Sequence, residues 1–163
     1  ILNQITAVFT RRQINIESLN VSPSSIKGIH KYTITAYSDE EMMKKVVKQI
    51  EKKIDVVKAH FYTNADLFLV EVALFKLATD VVVKTPAVSH AIRHAKARFT
   101  EVNETFCVVV SQGKTDDIVS LFHELHKTPG CVLQFTRSGR IAVTRSCQEE
   151  VSKFLNERGE EIE

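Results

Sequence analysis

The nine residues Arg11-Arg12-Gln13-Ile14-Asn15-Ile16-Glu17-Ser18-Leu19 contain a change of hydrophobic period. Before them Leu2, Ile5, Val8 and Phe9 recur at helical spacing. The cationic pair Arg11 and Arg12 closes that pattern, where positive charge meets the negative end of a helix dipole. Beyond the pair Ile14, Ile16, Leu19 and Val21 form an extended apolar run. It stops at Ser22-Pro23-Ser24-Ser25, a loop signal because proline cannot donate to a ladder. The spacing predicts a helix over 2–12 and a strand over 14–22, with one asparagine at the corner between them.

Working outward, His30 to Tyr37 alternates Tyr32, Ile34 and Ala36 against Thr33, Thr35 and Tyr37, the period of a half-buried strand. Ser38 with Glu41 three residues later fits a capping box, and Met43, Val46, Val47 and Ile50 share one face of a helix over 39–52. Ile54 to Tyr62 alternates again, Val57, Ala59 and Phe61 against Val56, Lys58 and His60, and predicts a further strand. Thr63-Asn64-Ala65-Asp66 is a polar break that divides the chain into domains 1–64 and 65–163.

In the second domain a strand is expected over 67–77, then a helix from Pro86 to Arg98 with Val88, Ala91, Ile92 and Ala95 inward. Strands over 99–103 and 105–111, a Gln112-Gly113-Lys114 turn and a helix over 115–126 follow. Pro129-Gly130 ends that helix, and strands over 131–137 and 140–145 are joined through Ser138-Gly139, a two-residue hairpin signal. A terminal helix over 148–158 is expected to turn Val151, Phe154 and Leu155 inward. The second half thus runs β-α-β-β-α-β, and the first repeats that order without its opening strand. The fold class is α+β, two ferredoxin-like domains with antiparallel sheets and helices on one face. A helix at residues 2–12 needs a strand running into it, so the natural chain is expected to begin somewhat before Ile1, which is not an initiator methionine.

The 163 residues, 44% hydrophobic and 26% charged, suit an ordinary globular protein with room for two small domains. A formal charge of +2, from 22 Lys and Arg against 20 Asp and Glu, lacks the one-sided field of a nucleic-acid binder. Cys107, Cys131 and Cys147 are an odd count without C-x-x-C spacing, so a reducing cytoplasm fits better than a disulfide framework or a zinc knuckle. No apolar run approaches the ~20 residues that span a bilayer.

Each candidate for chemistry has a structural explanation. His90 and His94, and His123 and His126, share helix faces, but no glutamate follows in H-E-x-x-H fashion, so they read as solvated or interface histidines and no metal site is assigned. Asp39, Glu40, Glu41, Asp116 and Asp117 fall in first helical turns, where the dipole alone favours them. Cys107 lies in the apolar strand Thr105-Phe106-Cys107-Val108-Val109-Val110 and behaves there as a small hydrophobe. Gly113-Lys114-Thr115 matches only the end of a phosphate loop. No catalytic residue is assigned.

The corner carries more. Phe9, Arg11, Arg12, Asn15, Ile16, Glu17, Ser18, Leu19 and Val21 resemble the N-terminal ACT domain of the small regulatory subunit of acetolactate synthase, also called acetohydroxyacid synthase. The likeness continues through Ile50-Glu51-Lys52 and Ile54-Asp55-Val56-Val57. It also takes in Glu71 to Leu77, Gly113-Lys114 and Arg137-Ser138-Gly139 of the second half.

The resemblance implies a non-catalytic subunit that activates a separate catalytic subunit in branched-chain amino acid biosynthesis. It would also confer feedback inhibition by valine or another branched-chain amino acid, isoleucine or leucine. Thiamine diphosphate, FAD and magnesium are implied in that partner and no cofactor in this chain. A homodimer through paired ACT domains is implied, with the effector between Asn15 and Ile16 of one chain and the helix start, Ile1 and Leu2, of the other. Gln13 stands where the family usually has glycine, just past a helix, where a left-handed backbone suits glycine. The rival reading is a free-standing amino-acid sensor of the ACT class, for which a DNA-binding helix or basic patch would be the sign.

Overall fold

The structure is a computed structural model that describes residues 1–24, 26–147 and 150–157. It divides into two compact units, one formed by Ile1–Phe68 with the residues from Ala142 onward, the other by Leu69–Ile141. No helix among the described residues is long and apolar enough to cross a membrane.

In the first unit α1 (Leu2–Arg11) buries Ile5, Val8 and Phe9, the face its spacing predicts. β1 (Ile16–Pro23) and β2 (His30–Ala36) form a two-stranded antiparallel sheet in which Leu19 lies opposite Ile34 and Val21 opposite Tyr32. α2 (Glu40–Glu51) buries Val46 and Ile50 in one core with the buried face of α1, Met43 of α2 packs beside them, and Ile14, Ile16, Tyr32, Ile34 and Ala36 close that core from the sheet side. Burying Val46 completely contributes roughly 1.5–3 kcal/mol relative to leaving it exposed.

Two expectations in this unit are corrected. Ser38 does not cap α2: the N-cap is Asp39, whose carboxylate accepts the Met42 N–H at 2.7 Å. An ionised acceptor at the positive end of a helix outcompetes a hydroxyl one residue earlier. The strand expected over 54–62 does not form, and the alternation breaks, since Val56 and Ala59 pack on the core while Ile54 is 102% exposed. A strand exists by its ladder. In the complete β-α-β-β-α-β unit described next, the closing strand pairs with the opening one, and among the described residues of the first unit there is no opening strand for residues 54–62 to join.

The second unit runs β3 (Leu67–Ala78), α3 (Thr79–Lys84), α4 (Pro86–His94), β4 (Arg98–Val102), β5 (Phe106–Gly113), α5 (Thr115–His126) and β6 (Val132–Arg137). The strands lie in the order β4-β5-β3-β6, and β4 with β5, β5 with β3 and β3 with β6 all run antiparallel. Ala73, Phe75 and Leu77 of β3 and Cys107 and Val109 of β5 face Val88 and Ile92 of α4 and Ile118, Leu121 and Leu125 of α5 in one core. Phe135 of β6 joins it, its ring tilted against Phe75 with centres 4.8 Å apart and stacked on Phe122 at 4.7 Å.

Here too the structure departs from expectation in three places. α3 was not predicted, because Val81 to Val83 is a β-branched run with weak helix propensity. Tertiary contacts override it: Val82 is buried, the Thr79 hydroxyl donates to the Asn103 carbonyl at 2.8 Å, and the Ser89 hydroxyl donates to the Val82 carbonyl at 3.1 Å. α4 ends at His94 instead of Arg98, because Lys96 adopts a φ of 53°. The Lys96 N–H then reaches the Arg93 carbonyl, and the Ala97 N–H the Ile92 carbonyl, both at 3.0 Å. Ser138-Gly139 turns no hairpin, since β7 (Ile141–Thr144), like β6, pairs with β3. Ser138 keeps to β3 as well, its N–H donating to the Val72 carbonyl at 2.9 Å and its hydroxyl accepting the Val72 N–H at 3.1 Å.

α6 (Glu150–Glu157) follows β7. Of the helix expected over 148–158, Gln148 and Arg158 lie outside the described residues, as do the side chains of Val151 and Leu155. Phe154 is half-buried, with the Lys58 ammonium 5.7 Å from its ring centre.

Candidate functional site

The corner between α1 and β1 is built by backbone hydrogen bonds. The Gln13 N–H donates to the Thr10 carbonyl and the Ile14 N–H to the Phe9 carbonyl, each at 3.0 Å, which is the Schellman closure of a helix. It needs a left-handed residue between them, and Gln13 supplies it with φ 56°. The chain therefore turns back sharply. Ile14 and Ile16 enter the core, and Asn15 between them is left exposed.

The Asn15 amide nitrogen donates to Glu17 Oε1 at 3.3 Å. The pairing of β1 with β2 shifts between Ile16 and Ser18, so Glu17 is the extra residue of a bulge. Just beyond it the Ser18 and Thr35 hydroxyls share a 2.6 Å hydrogen bond across the strands. Arg12 fixes the corner from the other side, with Nε donating to Gln49 Oε1 at 3.2 Å and a guanidinium N–H to the Met42 sulfur at 3.4 Å. The sequence marked Arg12 as a dipole charge and as part of the family resemblance, without a partner for its side chain. Its bond to Gln49, 37 residues away in the chain, had no local signal.

Ile1 and Leu2 sit at the opposite end of α1, 39% and 40% exposed. The first turn there has neither a capping side chain nor an acidic residue. Ten residues at 1.5 Å rise separate the helix ends by about 15 Å. Within one chain the structure thus brings Asn15 together with Ile16, and Ile1 with Leu2, but not the two pairs with each other.

Three separate pieces of the second unit do meet. Glu71 lies opposite Gly113 in the β3–β5 ladder, and its side chain, 3% exposed, pairs with Arg137 at 3.1 Å. Arg140 Nε donates to the Thr115 hydroxyl at 2.9 Å, which ties the segment after β6 to the start of α5. Glu71, Gly113 and Arg137, from the segments that carry the resemblance in this half, thus share one end of one sheet.

The remaining candidates stay apart. Burial pushes the Cys107 and Cys131 thiols up, away from the thiolate form, and Cys147 is exposed. His90 and His94 lie side by side with ring centres 6.2 Å apart on an exposed face. Among the described residues no three His, Cys, Asp or Glu side chains converge on a possible metal position.

Residues 1–58 match the family model described as the AHAS small subunit-like ACT domain. The class defined by fold and corner is thus a protein with an ACT domain followed by a second ferredoxin-like domain. Residues 70–146 match the model described as the small subunit of acetolactate synthase. The chain is also 31% identical over 153 residues to the acetolactate synthase small subunit of Bacillus subtilis, covering 93% of this chain and 87% of that protein. It belongs to the acetolactate synthase small subunit family.

A second relative, the probable acetolactate synthase small subunit of Methanothermobacter thermautotrophicus, is 27% identical over 145 residues, which are 89% of this chain and 85% of that protein. The crystal structure of the acetolactate synthase small subunit from Thermotoga maritima shares the fold, with a TM-score of 0.77 over 90% of each chain at 20% identity.

Proposed function

We propose that this chain is a non-catalytic regulatory subunit of acetolactate synthase, working in the cytoplasm. It raises the activity of a separate catalytic subunit and makes that subunit sensitive to valine or another branched-chain amino acid. Thiamine diphosphate, FAD and magnesium belong to the catalytic partner.

The observation that carries the effector site is the position of Asn15. It is an exposed amide held at a rigid corner beside the half-buried Ile16. Its nitrogen is engaged by Glu17, which leaves the amide oxygen as an acceptor for an ammonium group. Ile16 offers an apolar wall for a branched side chain. The uncapped start of α1 offers N–H groups to a carboxylate. Since about 15 Å separates the ends of α1, one small amino acid cannot touch both from a single chain. The site is completed between two copies, with Asn15 and Ile16 from one and Ile1 and Leu2 from the other.

Effector and partner are then linked by a coupling free energy of about 1–3 kcal/mol. The test is reconstitution: the chain is mixed with the cognate catalytic subunit, and acetolactate formation is measured with and without valine, isoleucine or leucine. Stimulation that one of these amino acids reverses is the expected result. No stimulation at saturating subunit would sink the regulatory reading.

A further inference from the structure

Three of the chain's six histidines rest their rings against an aromatic neighbour. The centre of His60 is 4.6 Å from that of Tyr62, and those of His123 and His126 are 5.7 and 5.4 Å from that of Phe122. His90 and His94 face each other instead, with centres 6.2 Å apart and ring planes within 18° of parallel. α4 turns Val88 and Ile92 into the core, and the two histidines, one turn apart, stand on its exposed side. Spacing alone does not set this pair apart from His123 and His126; the rings do.

Two imidazoles that bind one ion at about 2.0–2.1 Å in tetrahedral geometry have ring centres about 5 Å apart. The observed rings need to close by about 1 Å, which small side-chain rotations supply without moving the helix. Between Asp80 and Glu101 the sequence carries no acidic residue, and Asp80 is paired with Lys84. Among the described residues no third histidine, cysteine or carboxylate joins the pair. The stretch thus offers ring nitrogen and no carboxylate oxygen, which disfavours magnesium and calcium and suits nickel, copper and zinc. Arg93, Lys96 and Arg98, all exposed, oppose any cation, an effect that salt screens. His94 stands in the last turn of α4, where the negative end of the helix dipole works the other way. An ion here is held by coordination and not by the local field.

We propose that His90 and His94 chelate a divalent transition-metal ion of the nickel, copper and zinc class, through one imidazole nitrogen each, with water in the remaining positions. The ion bridges successive turns and staples the end of α4, where the Ala95 N–H closes the helix on the Ala91 carbonyl at 3.0 Å. The site lies within the second unit and is independent of the effector reading.

The test is a calorimetric titration of the full chain, free of a histidine tag, with nickel ion, and with magnesium ion as the control. Nickel should bind, and His90→Gln and His94→Gln should each weaken it about 100-fold, the loss expected when a second, tethered ligand is removed. His123→Gln should leave the affinity within about twofold of wild type, since its ring lies against Phe122. Amide exchange at Ala95 should slow about tenfold on adding nickel to wild type and stay unchanged in both single variants. The melting temperature without metal reports that the fold is intact; if one variant fails that control, the other carries the comparison. The proposal is overturned if half-saturation with nickel lies above about 1 mM, if magnesium binds as well as nickel, if both single variants bind like wild type, or if His123→Gln weakens binding as much as they do.

Discussion

Gln13 holds a left-handed backbone at the end of α1, a conformation that costs a residue with a Cβ about 1–2 kcal/mol and glycine almost nothing. The Schellman bonds of Gln13 and Ile14 hold it there, so the cost is already borne by the native state. Gln13→Gly should therefore stabilise the protein by about 0.5–1 kcal/mol, the gain being reduced by glycine's greater freedom in the unfolded chain. Thermal melting followed by circular dichroism measures this, and a lower melting temperature would show that the corner is unstrained. The opposite sign is expected at Arg137. Removing its guanidinium leaves Glu71 as a buried carboxylate without its ion partner. Arg137→Ala should cost about 2–3 kcal/mol, below the full value for a buried pair because Arg137 is 40% exposed. Adding Glu71→Gln should recover part of the loss; a double variant as unstable as the sum of both singles would mean the pair is not coupled. At this scale the place of Asn15 at the corner was legible from the change of hydrophobic period, whereas the left-handed backbone at Gln13 was signalled only by the resemblance, which has glycine there. The partners of Arg12 and Arg137 were not legible, because they come from residues 30 to 66 positions away.

α2 shows how closely an element's cap can be tested. Asp39→Ala removes the acceptor of the Met42 N–H and should cost about 1 kcal/mol, while Ser38→Ala should stay within about 0.5 kcal/mol of wild type. Equal losses in urea titrations would return the cap to Ser38. The far end of α2 is tied by Glu51, which pairs with Lys58 at 2.9 Å and accepts the Ala59 N–H at 3.3 Å. Burial pushes the Glu51 carboxyl up, but the Lys58 and Ala59 hydrogen bonds and the charges of Lys58 and His60 together hold it below its ordinary value. A lowered native value contributes stability above the ordinary glutamate range, lost as the pH falls through the native one. Wild type should thus melt above Glu51→Gln near neutral pH, and the gap should close in acid; a gap independent of pH would assign the effect to packing. Elements set by local pattern, such as α1, α2 and α5, were legible in the sequence within a residue or two. The strand expected over 54–62, the hairpin at Ser138-Gly139 and the short α3 were not, because pairing partners and tertiary hydrogen bonds decide them. Alternation marks a segment able to be a strand, and only a neighbour with free backbone groups makes it one.

On the proposed function, two units with separate cores would allow sensing and activation to be separated by a single side chain. The first unit closes on Val46 and Phe9, the second on Phe75 and Leu77, and Asn15 belongs to neither core. Its exposed amide donates to the equally exposed Glu17, so Asn15→Ala should change stability by less than about 0.5 kcal/mol. If the amide oxygen receives the effector's ammonium, the loss is that of one hydrogen bond to a charged group, about 1.5–3 kcal/mol. The valine concentration for half-inhibition should then rise by about 10- to 100-fold. Stimulation of the catalytic subunit in the absence of valine should stay within about twofold, since an exposed rim residue of one unit leaves both cores standing. Both curves come from one titration series of acetolactate formation, with the melting temperature as the control for folding. Loss of stimulation and inhibition together, at an unchanged melting temperature, would place Asn15 in the contact with the catalytic subunit and remove it from the effector site. Unchanged inhibition would mean that the effector reads another part of the corner. The separation is expected because an effector biases a two-state assembly only through contacts that differ between its states, and the proposed site, a corner completed by a second chain, would be such a contact.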